Sequence, residues 1–96
     1  MAYDRLVFRV HATRRMFRRR IIEQDIRHVL ETGEVIEDYP DDTPYPSRLI
    51  LGFCNARPIH VVAADNHEDQ QTIIITVYEP DPAKWDPTFR KRREPS

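Results

Sequence analysis

Two histidines, a tyrosine and a run of arginines are the residues of this 96-residue chain best suited to moving protons and holding phosphate. His11 is followed at helical spacing by Arg14, Arg15, Arg18 and Arg19. Arg57 and His60 lie in Arg57-Pro58-Ile59-His60-Val61-Val62, and Tyr78 ends the apolar run Ile73-Ile74-Ile75-Thr76-Val77-Tyr78. Imidazole titrates near neutrality, and the planar guanidinium matches phosphate oxygens better than the point charge of lysine. Cleavage of RNA by its own ribose 2′-hydroxyl needs those parts: a base, an acid for the leaving 5′-oxygen, and cations for the crowded phosphate. A binding domain that does no chemistry would use the same arginines to hold nucleic acid or an acidic partner. In a blander reading they balance the acidic residues of the chain itself, each exposed pair contributing little.

Other chemistries find less support. Only Gly33 and Gly52 are glycine, so there is no glycine-rich phosphate loop. His11, His28, His60 and His67 have no metal-ligand spacing with Cys54 or with each other. No metal and no cofactor is expected. Asp65-Asn66-His67-Glu68-Asp69 reads as a solvated hairpin turn. Lone Cys54 reads as a buried strand cysteine rather than a nucleophile. His60 is either a satisfied core histidine or a polar group in a shielded cleft, because both faces of its strand are largely apolar.

The elements that must position these residues follow from periodicity. Val10 to Arg19 is helical, with His11, Arg14, Arg15, Arg18 and Arg19 on one face and Val10, Ala12, Met16, Phe17 and Ile21 on the other. The helix is expected to end near Arg20. Glu23 to Thr32 predicts a second helix with Ile22, Ile26, Val29 and Leu30 at core spacing and Gly33 as a left-handed stop. The period then changes to 2, predicting strands over 35–39, 48–55, 58–65 and 71–79 joined as an antiparallel meander. After Pro80-Asp81-Pro82, Trp85 and Phe89 anchor an expected short helical segment, with Trp85 a packing anchor rather than a base-stacking platform. The predicted fold is α+β: two N-terminal helices packed on a four-stranded antiparallel sheet, a single domain over 1–96 with a basic flexible tail from about residue 90.

Net charge is only −1, from 15 Lys+Arg and 16 Asp+Glu, but the charges are segregated. Residues 5–20 hold seven of the arginines and no acid, whereas residues 31–42 hold Glu31, Glu34, Glu37, Asp38, Asp41 and Asp42 and no base. Arg90-Lys91-Arg92-Arg93 turns basic again, read as a solvated terminus or as an added phosphate clamp. With no apolar run near the roughly 18 residues of a membrane span, and no apolar leader at the start, a cytoplasmic location and no membrane partner are expected.

His11-Ala12-x-x-Arg15-Met16-x-x-Arg19, Gly33-Glu34-Val35-Ile36-Glu37-Asp38-Tyr39-Pro40, Arg57-Pro58-Ile59-His60-Val61-Val62 and Ile75-Thr76-Val77-Tyr78-Glu79-Pro80 together resemble a family of short bacterial proteins known as a domain of unknown function. The likeness runs from about Leu6 to Arg93. Members are often encoded beside a YgiT-type (MqsA-like) zinc-finger antitoxin. They look like distant relatives of the MqsR and RelE toxins within the barnase, EndoU, colicin and RelE-like ribonuclease superfold. The resemblance implies a helices-then-sheet fold and an mRNA-cleaving toxin inhibited by a protein partner, with His11, Arg15, Arg19, His60 and Tyr78 as the motif positions that carry over. The resulting expectation is a metal-independent endoribonuclease with His11, Arg15, His60 and Tyr78 catalytic and Arg14, Arg18, Arg19 and Arg57 holding RNA phosphates. The alternative is a non-catalytic nucleic-acid- or protein-binding module.

Overall fold

The computed structural model describes residues 3–94. Met1 and Ala2 at the start, and Pro95 and Ser96 in the expected basic tail, lie outside the described residues. The chain runs β1 (Leu6–Phe8), α1 (Val10–Arg19), α2 (Glu23–Thr32), β2 (Glu34–Tyr39), β3 (Ser47–Cys54), β4 (Arg57–Asn66) and β5 (Gln71–Tyr78). The four expected strands form the antiparallel meander β2-β3-β4-β5. The sheet has five strands, however, because β1 adds in parallel to the outer edge of β5, Leu6 opposite Thr72 and Phe8 opposite Ile74. Three residues are too few to display a period, and a parallel partner far along the chain leaves no hairpin signal. The expectation of four strands, all antiparallel, is corrected accordingly.

Both helices pack on one face of the sheet. Ala12, Ile21, Ile26 and Val29 meet Ile50, Ile59, Val61, Ala63, Ile74 and Val77 in a shared core. Val10, Phe17 and Ile22, expected inside, are exposed. Helix α1 is short and sits at the sheet margin over β5, so a narrow stripe led by Ala12 and Met16 is all that it buries.

Local signals set the helix ends. Arg20 takes the left-handed conformation (φ 55°, ψ 44°), and its N–H caps the carbonyls of Met16 and Phe17. That geometry is unfavourable for a residue with a Cβ. Arg57 supports it from β4, donating to the carbonyl oxygens of Arg19 and Arg20. Helix α2 starts with the Ile22 N–H donating to Asp25 Oδ2 at 3.0 Å, and Glu23 and Asp25 in its first turn suit the helix dipole.

Gly33 is not the left-handed stop expected of it, since its φ is −76°. It is required for space: a Cβ there would stand 2.4 Å from the Val29 carbonyl oxygen and 2.7 Å from that of Leu51. Those backbone atoms cannot swing away, so Gly33→Ala is expected to lower stability by about 1–3 kcal/mol, read as a reduced urea midpoint at unchanged slope.

The opposite face of the sheet carries Leu51, His60 and Tyr78 as neighbours across β3, β4 and β5. Residues 80–94 cover it. No helix forms there, contrary to expectation: Asp81 and Asp86 turn the chain by accepting from the N–H groups of Ala83 and Thr88, and Trp85 bridges to Arg92. Trp85 is buried, as a packing anchor should be. Arg90 pairs with Glu34 at 3.0 Å, and the Arg93 N–H reaches the Lys84 carbonyl at 2.8 Å.

Candidate functional site

Strand β1 stops at Phe8, and the far half of β5 is flanked instead by α1 and by the segment after Pro80. Between these walls lies a cleft of about 500 Å³. His11, Arg15 and Arg19 enter from α1, Thr76, Tyr78 and Glu79 from the end of β5, and Asp81, Lys84, Trp85 and Arg92 from the covering segment. A smaller cavity of about 170 Å³ shares Arg15, Arg19 and Tyr78 with it and adds Arg18. Four of the residues expected at a site are thus brought to one place: His11, Arg15, Arg19 and Tyr78.

The α1 stripe follows from helical spacing. His11, Arg15 and Arg19 are one turn apart, and the burial of Ala12 on β5 turns that row toward the cleft. Arg15 Nε–H donates to His11 Nε2 at 3.0 Å, which ties the imidazole to the guanidinium one turn along the row.

Positive charge predominates in the cleft, where Arg15, Arg19, Lys84 and Arg92 face the carboxylates of Glu79 and Asp81. Among the described residues the ion pairs are Arg27–Glu23, Arg48–Asp65, Arg57–Glu79 and Arg90–Glu34, and none involves Arg15, Arg19, Lys84 or Arg92. Of the two cleft carboxylates Glu79 is paired with Arg57, whereas Asp81 accepts from the Ala83 N–H and keeps its charge. Of the acidic residues 31–42, none lines the cleft. Four cations without an ion-pair partner among the described residues give the cavity a net positive potential.

His60 does not line this cleft. It is fully buried beneath the covering segment, with its ring edge-on to Tyr78 and Trp85, 5.1 and 4.4 Å between centroids. Its Nε2–H donates to the Phe89 carbonyl at 2.9 Å, which leaves Nδ1 to accept from the Tyr78 hydroxyl at 3.2 Å. Burial, aided by the Arg92 charge, pushes the His60 pKa below the usual imidazole value. The ring is therefore a neutral prop that fixes Tyr78. Burial likewise raises the Tyr78 pKa, and the phenol keeps its proton at neutral pH.

The remaining candidates are placed as follows. Arg57 spends its guanidinium on Glu79 and the end of α1, an internal role. Arg14 and Arg18 are exposed along α1. Cys54 packs against the core, and burial raises its thiol pKa, the reverse of an activated nucleophile. Lys84 was not anticipated, and of the basic C-terminal run only Arg92 reaches the cleft, laid over Trp85 at 4.7 Å. The basic run itself was visible in the sequence; which member turned inward depended on the Trp85–Arg92 bridge.

The family described as Domain of unknown function (DUF4258) matches residues 8–79. That span contains His11, Arg15, Arg19, His60 and Tyr78, and ends before Lys84 and Arg92. No curated protein and no solved structure matches the chain.

Proposed function

The chain belongs to the DUF4258 domain family, and from that premise and the cleft geometry we propose that it is a metal-independent endoribonuclease, the mRNA-cleaving toxin of a bacterial type II toxin–antitoxin module. The observation that carries the reading is the convergence of the His11 imidazole, bonded to Arg15 through Nε2, a protonated Tyr78 phenol and four cations without ion-pair partners among the described residues on one cleft. The likeness to families encoded beside zinc-finger antitoxins supports a protein inhibitor as the second partner.

The chemistry assigns one task to each group. An RNA phosphate takes the Arg15 guanidinium, which frees His11 Nε2. His11 then accepts the 2′-hydroxyl proton as the 2′-oxygen bonds to phosphorus. The bond from phosphorus to the 5′-oxygen breaks, and that oxygen receives the Tyr78 proton once the hydroxyl turns from His60. Arg15, Arg19, Lys84 and Arg92 stabilise the charge on the phosphorane oxygens. The products are a 2′,3′-cyclic phosphate and a 5′-hydroxyl.

The test is incubation of the purified protein with single-stranded RNA in EDTA, with end-group analysis. Cleavage to cyclic phosphate ends is expected, with Tyr78→Phe and Arg15→Ala each reducing the rate about 100-fold or more. RNA left intact by the folded wild-type protein, both in this assay and on induced expression in a bacterial host, overturns the reading.

A further inference from the structure

Phe17 is 88% exposed on α1, although the family of residues it belongs to is ordinarily buried. It makes no part of the core, so its aromatic face is free for a ligand. Arg14 stands one turn before it, Arg18 beside it and Arg20 one turn after it, and among the described residues none of the three has a carboxylate partner. The α1 end beneath it is held in place by the bonds from Arg57 to the Arg19 and Arg20 carbonyls.

The basic surface is continuous with the cleft. The small cavity that shares Arg15, Arg19 and Tyr78 with the cleft is also lined by Arg18, the chain neighbour of Phe17. At roughly 100° per residue the helix carries Arg15, Arg18, Arg14 and Phe17 in order around its outer surface.

We propose that Phe17 is a stacking platform for a nucleobase of single-stranded RNA, the flanking arginines holding the phosphates on either side as the strand leaves the cleft. The proposal rests on the ribonuclease reading for the identity of the strand and extends it to a substrate class. An exposed aromatic ring offers its face to any unstacked base, and arginine supplies the phosphate contacts. Duplex RNA presents base edges and backbone, not faces, and is excluded from the platform. A protein partner is the weaker fit, because Thr13 and Arg14 separate Phe17 from Val10, the other exposed apolar residue of α1, and Arg18, Arg19 and Arg20 stand between Phe17 and the exposed Ile22 along the chain.

The experiment is fluorescence anisotropy with a 2′-O-methyl oligonucleotide eight residues long, which binds without a free 2′-hydroxyl to react. Phe17→Ala and Phe17→Leu are each expected to weaken binding about tenfold with the salt slope unchanged, since no charge is removed. Phe17→Trp restores it. Arg14→Ala and Arg18→Ala reduce the slope instead. Phe17 is outside the core, so unchanged far-UV circular dichroism is the expected control. Equal binding by wild type and Phe17→Ala overturns the platform, as does equal affinity for the matching duplex. The platform also falls if Phe17→Ala loses an acidic leucine-rich peptide and not the oligonucleotide. Phe17-dependent binding with no cleavage of the unmodified RNA leaves the platform standing and removes the ribonuclease reading. Cleavage with no dependence on Phe17 does the reverse.

Discussion

His11→Ala is expected to slow RNA cleavage by about 10²- to 10⁴-fold while leaving the melting temperature nearly unchanged. The side chain is exposed and, among the described residues, its polar contact is the bond from Arg15, so the fold loses little with it. In the proposed mechanism the reaction loses its base. Because Arg15 is released from that bond, phosphate binding should persist or tighten slightly, which separates a catalytic His11 from one that only binds. Single-turnover rates together with oligonucleotide affinity give the split directly. A parallel fall in both, or a rate within threefold of wild type, would remove His11 from the role of base.

The second large effect is on stability. His60→Ala removes a fully buried ring from between Tyr78 and Trp85, and leaves the Tyr78 hydroxyl and the Phe89 carbonyl without their partner. The cavity and the lost hydrogen bonds together should cost about 3–5 kcal/mol, a large share of the 5–15 kcal/mol typical of a domain. For a chain of this size that is a fall of roughly 15–30 °C in melting temperature. A fall under about 3 °C would mean that the covering segment does not hold His60 as described.

The same burial sets a pH dependence. Native His60 resists protonation, whereas in the unfolded chain it titrates near its ordinary value of about 6.5. The unfolded state therefore binds the extra proton as pH falls below that value, and the His60 contribution to stability is full above it and lost going down toward the depressed folded value. The slope from this one group is at most about 1.4 kcal/mol per pH unit. Wild-type stability measured by urea midpoints from pH 7.5 to 5 should decline in that window, and His60→Leu should flatten the decline. An equal decline in the variant would assign it to other groups. Activity adds a further distinction: Tyr78→Phe keeps the ring and its packing and removes only the hydroxyl bonded to His60 Nδ1, so it should lose cleavage at a stability cost of about 1–3 kcal/mol, below that of His60→Ala.

The parts of this protein written locally in the chain could be read from it. Helix spacing in 10–19 and 23–32 and alternation in the four long strands are short-range consequences of backbone geometry, and the meander follows from the short turns that join β3 to β4 and β4 to β5 and the longer loop 40–46 that joins β2 to β3. The row of His11, Arg15 and Arg19 is equally local, because one helical turn aligns it wherever the helix goes. Composition alone separated the basic helix from the acidic 31–42 segment.

What tertiary structure decided is everything that depends on a distant partner. Strand β1 exists through β5, and Phe17 is outside because α1 lies at the sheet margin with only a narrow face to bury. His60 and Tyr78 had similar standing as candidates on strand parity. The covering segment separated them, placing one beneath Trp85 and the Phe89 carbonyl and the other at the cleft. Arg57 and Arg92 exchanged roles for the same reason: the first is captured by the end of α1, and the second is turned to the cleft by Trp85. Residue type sets the chemistry a side chain can do, but burial and hydrogen bonding by groups far along the chain determine whether it is exposed to do it.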